Sequence, residues 1–142
     1  MKIVISPNAI LRQTAQVVEN FDEKLSCLVE QMSKIMIQHK GLGLAAPQIG
    51  VSMQIIVFSE KKYMINPQII ASSVDVSTFN EGCLSIPGKI ISVERPSKIQ
   101  TKYYDLLGNV HDEHFSNLEA RIIQHEIDHL NGILMIDWAK KK

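Results

Sequence analysis

The sequence predicts a single domain that combines helix and strand, with the strands gathered between two helices. Three observations carry this reading. A stretch from about Asp22 to His39 repeats apolar residues at helical spacing. A second helical pattern near the C-terminus contains the motif H-E-x-x-H at residues 125–129. The residues between them break into short runs rich in Val, Ile, Thr and Tyr, separated by turn-forming residues. At 142 residues the chain, 1–142, makes one domain with room for a real core.

Residues 1–20 mix short apolar runs with polar breaks and read as an irregular lead-in. In the first helix, Leu25, Leu28, Val29, Met32, Ile35 and Met36 form one apolar stripe, so the methionines are core filling. Cys27 lies off that stripe and has nothing beside it that would activate a thiol. Gly41 is positioned to close the helix. The segment Gly41-Leu-Gly-Leu-Ala-Ala-Pro-Gln48 is small-residue backbone suited to close approach, and Gln48 is the one amide in it. It lacks the Lys-Ser/Thr pair of a phosphate loop. Residues 51–58 and 63–70 read as strands joined by a charged turn, with Pro67 at an edge or bulge. Glu81–Gly88 reads as a loop or strand edge. Residues 89–94 and 97–104 read as strands split by Arg95-Pro96, and 105–109 as a hairpin turn. His111 and His114 then fall on a return strand, as surface histidines rather than a second metal site. Ser116 and Glu119 fit a capping box for the second helix, and Gly132 fits its stop. The chain ends at Trp138 and a short lysine tail.

Fifteen Lys plus Arg against fifteen Asp plus Glu give zero net charge. That argues against electrostatic capture of DNA or of an anionic membrane. No apolar run is long enough to span a bilayer, and the N-terminus is too soon broken by Ser6-Pro7 to be a signal peptide. A cytoplasmic protein, or the mature form of an organellar one, is expected, with both cysteines as free thiols.

On a helix, residues four apart lie one above the other. His125 and His129 would present two imidazoles to one metal ion, with Glu126 close enough to handle a proton on water bound there. A catalytic metal needs a third protein ligand and one open position. Downstream of the helix only Asp137 is available, close to the chain end. Cys83 is the better candidate, because a thiolate on a divalent ion is deprotonated outright.

The three stretches Gly41–Gln48, Glu81-Gly-Cys-Leu-Ser85 and Gln124-His-Glu-Ile-Asp-His129 resemble, in order and spacing, the three signature motifs of peptide deformylase. The resemblance covers nearly the whole chain. It implies an α+β fold in which antiparallel sheets wrap around the central helix that carries H-E-x-x-H. It implies hydrolysis of the formyl group from the N-formylmethionine of newly made polypeptides, with release of formate. Carried over by position, Cys83, His125 and His129 bind the metal and Glu126 is general base and then acid. Gln48 and the backbone N–H of Leu84 hold the oxyanion. One divalent ion per chain is implied, Fe(II) natively, with Zn(II), Ni(II) or Co(II) as other ions such a site accepts. Partners are N-formylmethionyl peptides and nascent chains. A peptide is expected to add as an extra strand beside Gly43. By position Leu42, Phe79, Glu81 through its stem, Leu118 and Ile122 line the methionine pocket, with Gly82 also at the substrate. Glu81 is expected to pair with Arg95 beneath the site.

Three features depart from the family pattern. Arg121 stands where many relatives carry an aliphatic residue at the rim of the methionine pocket. Ile90 stands where some offer a polar group. Residues 133–142 leave little room for the longer C-terminal helix thought to dock on the ribosome, so docking by that route is in doubt; the trimmed form also resembles organellar or virus-encoded members. A monomer is expected. Two other readings of the residues stay open here. An H-E-x-x-H endopeptidase would not need Cys83. A non-catalytic metal module would need a fourth ligand, for which His111 or His114 would serve.

Overall fold

The computed structural model describes residues 2–139. A 3-10 turn at Ala9–Arg12 precedes helix α1 (Glu23–Gln38), strand β1 (Gly43–Ala45) and a second 3-10 turn, Ala46–Ile49. Strands β2 (Ile55–Phe58), β3 (Lys62–Ser72), β4 (Val76–Cys83), β5 (Ile86–Pro96), β6 (Lys98–Tyr104) and β7 (Val110–Ser116) follow. Helices α2 (Asn117–Leu130) and α3 (Met135–Ala139) complete the described chain. The α+β fold class expected from the sequence is therefore present. An antiparallel sheet of five strands in the order β1-β2-β3-β6-β7 lies with a two-stranded antiparallel sheet, β4-β5.

Strand β2 shows how a short chain builds this. Its four residues, Ile-Ile-Val-Phe, are all buried. Side chains alternate across a strand, so Ile55 and Val57 join the core formed with Leu25, Val29, Met32 and Met36 of α1. Ile56 and Phe58 join Ile122, Ile123, Ile127 and Leu130 of α2 on the other face. The sheet is thus covered by one helix on each side, which is why this strand reads as an unbroken apolar run. A third cluster of Leu11, Ile86, Leu134 and Met135 ties the first 3-10 turn, β5 and α3 together. Helix α2 is buried around most of its circumference from Ala120 to Ile127.

Of the stripe predicted on α1, Leu25, Val29, Met32, Ile35 and Met36 are buried and Leu28 is half-buried, and Asp22 caps the helix by accepting from the Leu25 N–H at 3.1 Å. Cys27 is exposed. The stop differs from expectation. The left-handed residue is Lys40 (φ 58°), and Gly41 follows it, donating to Met36 at 2.9 Å while Lys40 donates to Ile37 at 3.0 Å. This pair of bonds is a Schellman closure with lysine at the strained position. At the end of α2 the same closure has the expected glycine: Gly132 donates to His129 and Ile133 to Asp128.

The capping box expected at the start of α2 does not form. Ser116 occupies the cap position but makes no side-chain cap bond, and Glu119 turns to Lys62 of β3 at 2.5 Å. Strand β4 and the short β1 were not expected, and neither was α3. Pro67 lies within a register shift of β3 between Ile65 and Gln68, so its missing N–H interrupts the ladder where the ladder is already broken. His111 is half-buried, stacked on Tyr103 and bonded to Asp105, and His114 is exposed. Neither joins the metal-type cluster described below. The lysine tail at 140–142 lies outside the described residues.

Gly132 has φ +72°, and a Cβ there would come within 2.5 Å of the Arg12 carbonyl oxygen. Gly88 has a similar φ, +80°, with nothing within 4 Å of its Cβ position. Gly88→Ala should therefore cost only the left-handed backbone penalty, about 1–2 kcal/mol. Gly132→Ala should cost clearly more, because fixed backbone must move as well. Denaturant midpoints of the two variants measure the difference; equal losses would show that the Arg12 contact yields freely.

Candidate active site

Three segments distant in sequence meet at one end of α2. The β4-β5 hairpin turns at Leu84-Ser85 and brings Cys83 to its tip. The second 3-10 turn, with Pro47 at its second position, brings Gln48. Helix α2 brings His125, Glu126 and His129 on successive turns. The ligand-type atoms of Cys83, His125 and His129 lie within 4.8 Å of one another, and Cys83 Sγ is 3.4 Å from His129 Nε2. Among the described residues this is the one cluster that could hold a metal ion in this way.

Behind the cluster sits Glu81, almost fully buried. Its Oε1 accepts from His125 Nδ1 and from Arg95 Nη2, both at 2.9 Å. Its Oε2 accepts from Arg95 Nε at 2.6 Å and from Arg121 Nη1 at 2.5 Å. The expected Glu81–Arg95 pair is present and forked. Burial alone would raise the Glu81 pKa, yet the bonds from Arg95 and His125 outweigh it and hold the group down at about 2. Because Nδ1 of His125 is engaged, Nε2 is the nitrogen left to face Cys83.

Arg121 does border the cleft, but as a buried cation rather than a free one: it is 6 % exposed, bonded to Glu81, to the carbonyls of Ser77 and Val93, and lies 5.6 Å from the Phe79 ring centroid. The bonding capacity of guanidinium makes this burial possible: its forked N–H groups meet carboxylate, carbonyls and ring together. On the far side of Arg95, Nη1 donates to Asp128 at 2.8 Å, and Trp138 Nε1 donates to the same Asp128 oxygen at 3.1 Å. Sequence reasoning did not find Asp128 or Trp138. The only signal was Asp128 lying one turn beyond Gln124 inside the motif.

Glu126 is buried, and burial raises its pKa to about 7 against the lowering influence of His125 and Arg95. Burial pushes the His129 pKa well below its ordinary value, with the charges of His125 and Arg95 adding to this. His129 is accordingly neutral, as a ligand must be. His125 goes the other way: against burial, Cys83 and Glu81 raise it to about 10, so an ion entering between Cys83 and His125 displaces a proton. Glu126 Oε1 and His129 Nδ1 are buried with no hydrogen-bond partner among the described residues. A thiolate, two imidazoles and a carboxylate oxygen left unbonded beside them fit a catalytic metal with one open position.

The amide of Gln48 is oriented by its own turn. Oε1 accepts from the Ala45 N–H at 2.9 Å, so Nε2 points inward, 3.1 Å from Ser85 Oγ and 3.5 Å from Cys83 Sγ. Ser85 was not singled out in the sequence, although it is the last residue of the cysteine motif. A cleft of about 380 Å³ opens over the cluster. It is lined by Leu42, Gly43, Gln48, Phe79, Glu81, Gly82, Cys83, Leu84, Leu118, Ile122, His125 and Glu126, together with Arg121, Ile86 and the outer residues Lys40 and Lys89. His129 lies deeper, beneath these. Ile90 is exposed and is not part of the lining.

Comparison with known proteins points one way. The family profile described as polypeptide deformylase matches residues 1–142. The peptide deformylase of Borreliella burgdorferi is 40 % identical over 147 residues, covering 100 % of this chain and 89 % of that one. The solved structure of the Plasmodium falciparum peptide deformylase complex with inhibitor superposes with a TM-score of 0.94 at 45 % identity, covering 96 % of this chain and 88 % of that one. That of the Thermotoga maritima peptide deformylase gives 0.94 at 37 % identity, over 96 % of this chain and 95 % of that one. Matched along its whole length in sequence and nearly so in fold, the chain belongs to the polypeptide deformylase family.

Proposed function

We propose that the chain removes the formyl group from the N-terminal formylmethionine of new polypeptides, with Cys83, His125 and His129 holding one divalent ion and Glu126 moving the proton. Deformylation is the activity of the family. The observation that carries the assignment of roles is the buried Glu126 carboxylate, with one oxygen unbonded, beside three converging ligand-type side chains. When bound, the ion supplies Lewis-acid polarisation and lowers the pKa of a water toward about 7. Fe(II) is the ion we infer from the family resemblance. Zn(II), Ni(II) and Co(II) suit the same donors.

The remaining steps belong to the chain's own residues. Glu126, poised near neutral pH, takes the proton of the attacking water and gives it to the leaving amine, which cannot depart as an anion. The Gln48 amide and the Leu84 N–H hold the negative charge that develops on the formyl oxygen. Loss of one such donor typically costs about 3–4 kcal/mol in the barrier. Leu42, Phe79 and Leu118 are half-exposed around the cleft, with Ile122 at its wall, and form an apolar seat for methionine. Strand β1 is the edge of its sheet, and a substrate backbone can pair with Leu42–Leu44 as a further strand. The setting implied is a cytoplasmic monomer acting on nascent chains. No helix of the described residues is long and apolar enough to cross a membrane.

Formate release from a formyl-Met-Ala peptide tests the roles. Glu126→Gln should keep its metal and lose about 10²-fold or more in kcat. Cys83→Ala should lose both metal and formate release. An endopeptidase of the H-E-x-x-H type would keep its activity without Cys83, and that result would overturn the ligand set. Gly43 supplies a second test. A Cβ there would lie 2.7 Å from Glu126 Oε2 and 2.9 Å from Ile122 Cγ2. Gly43→Ala should therefore displace the Glu126 carboxylate and depress kcat, with the metal content unchanged. Unaltered kinetics in that variant would mean Glu126 does not need its present position.

A further inference from the structure

We propose that Trp138, on the short helix α3, is a positioning residue for the metal centre, acting through Asp128, Arg95 and Glu81 on His125; this rests on the reading of His125 as a metal ligand. Each link is a direct contact. Trp138 Nε1 donates to Asp128 Oδ2 at 3.1 Å, and Arg95 Nη1 donates to the same oxygen at 2.8 Å. The Arg95 guanidinium also lies 5.1 Å from the Trp138 ring centroid. On this side the guanidinium is thus held by the Asp128 carboxylate at Nη1 and lies over the indole ring, two contacts that help fix a planar cation.

The direction in which Arg95 is held matters because of how the Glu81 oxygens divide their partners. Oε2 has two guanidinium partners, Arg95 Nε and Arg121 Nη1. Oε1, the oxygen that accepts from His125 Nδ1, has only Arg95 Nη2 besides. Arg121 therefore anchors Glu81, whereas the tilt of Arg95 sets where Oε1 points, and Oε1 orients the imidazole. Asp128 and Trp138 set that tilt. Partners of this kind, one step outside the ligands, commonly change metal affinity about 10–100-fold when removed.

Helix α3 has a second anchor that reaches the site by no such path. Asp137 forms a forked pair with Arg12, at 2.6 and 3.0 Å, on the 3-10 turn Ala9–Arg12. This separates two explanations. If Trp138 matters only because it docks α3, then loosening α3 at Arg12 has the same consequence. If it acts through Arg95, only the Trp138 side matters.

The experiment uses zinc-loaded wild type, Trp138→Phe, Asp128→Asn and Arg12→Gln. Zinc release to a chromophoric chelator, thermal midpoint, and kcat and KM for formyl-Met-Ala are measured for each. Trp138→Phe keeps a smaller aromatic ring beside Arg95 and removes the N–H, and the thermal midpoint reports any loss of packing that goes with it. The expected result is zinc release faster by about threefold to tenfold in Trp138→Phe and more in Asp128→Asn, with kcat lowered and KM unchanged. Arg12→Gln should lower the thermal midpoint and leave zinc release at the wild-type rate. Wild-type zinc release in Trp138→Phe would overturn the proposal, as would Arg12→Gln accelerating release equally. Failure of metal-loaded wild type to release formate would instead count against the deformylase reading, and the zinc-release comparison would still decide the role of Trp138.

Discussion

The structure turns on a carboxylate that it has no solvent to hold. Glu81 is buried between the β4-β5 sheet and helix α2, and an ionised carboxylate in such a place costs several kcal/mol unless it is paired. Two guanidinium groups and an imidazole converge on it. Two carboxylates, Glu81 and Asp128, thus share the Arg95 guanidinium, and Glu81 takes Arg121 as well. Removing one member of a buried pair typically costs about 3–5 kcal/mol, because it strands the other charge. The same cluster therefore holds the small sheet against the helix and orients the first imidazole of the site. Stability and chemistry draw on one set of bonds.

The frame around this cluster explains why so short a chain can place its groups well. Helix α2 is enclosed between the five-stranded sheet and the two-stranded one, so neither histidine nor Glu126 relies on a loop for its position. Cys83 and Gln48 lie at or within turns, and each has defined supports. Cys83 sits at a two-residue hairpin corner, and Gln48 is clamped by the Ala45 N–H and Ser85. Close approach is built in as well. The backbone at Gly43 passes so near Glu126 that even a methyl group has no room. A crowded site of this kind suits the smallest acyl group.

Burial also sorts the titrating groups by role. Glu126 is buried without a strong partner and rises to about 7, whereas Glu81 is buried with three partners and falls to about 2. Two carboxylates within one cluster thus serve different ends: one exchanges a proton near neutral pH, and the other never does. His129 is kept neutral by the same burial.

Much of the site could be read in the sequence because its chemistry is local. His125 and His129 share a helix face through their spacing alone, and the stripe on α1 follows from a period of 3.6 residues. Gly132 ends α2 as glycine should. What tertiary structure decided were the competitions between partners. Glu119 could have closed a capping box but finds Lys62 across the fold. Lys40 takes the left-handed position beside an available glycine. Strand β4 is mostly exposed, so its apolar pattern is too weak to announce a strand, and its pairing with β5 defines it. That Arg121 would be buried where it borders the cleft could not be read, because burial of arginine depends on acceptors supplied by Glu81, Ser77 and Val93, up to 44 positions away. The sequence by itself determined which side chains could ligate and transfer protons, since periodicity and residue chemistry are local properties. Only the fold decided which buried charges meet, because that balance is settled between segments that have no spacing in common.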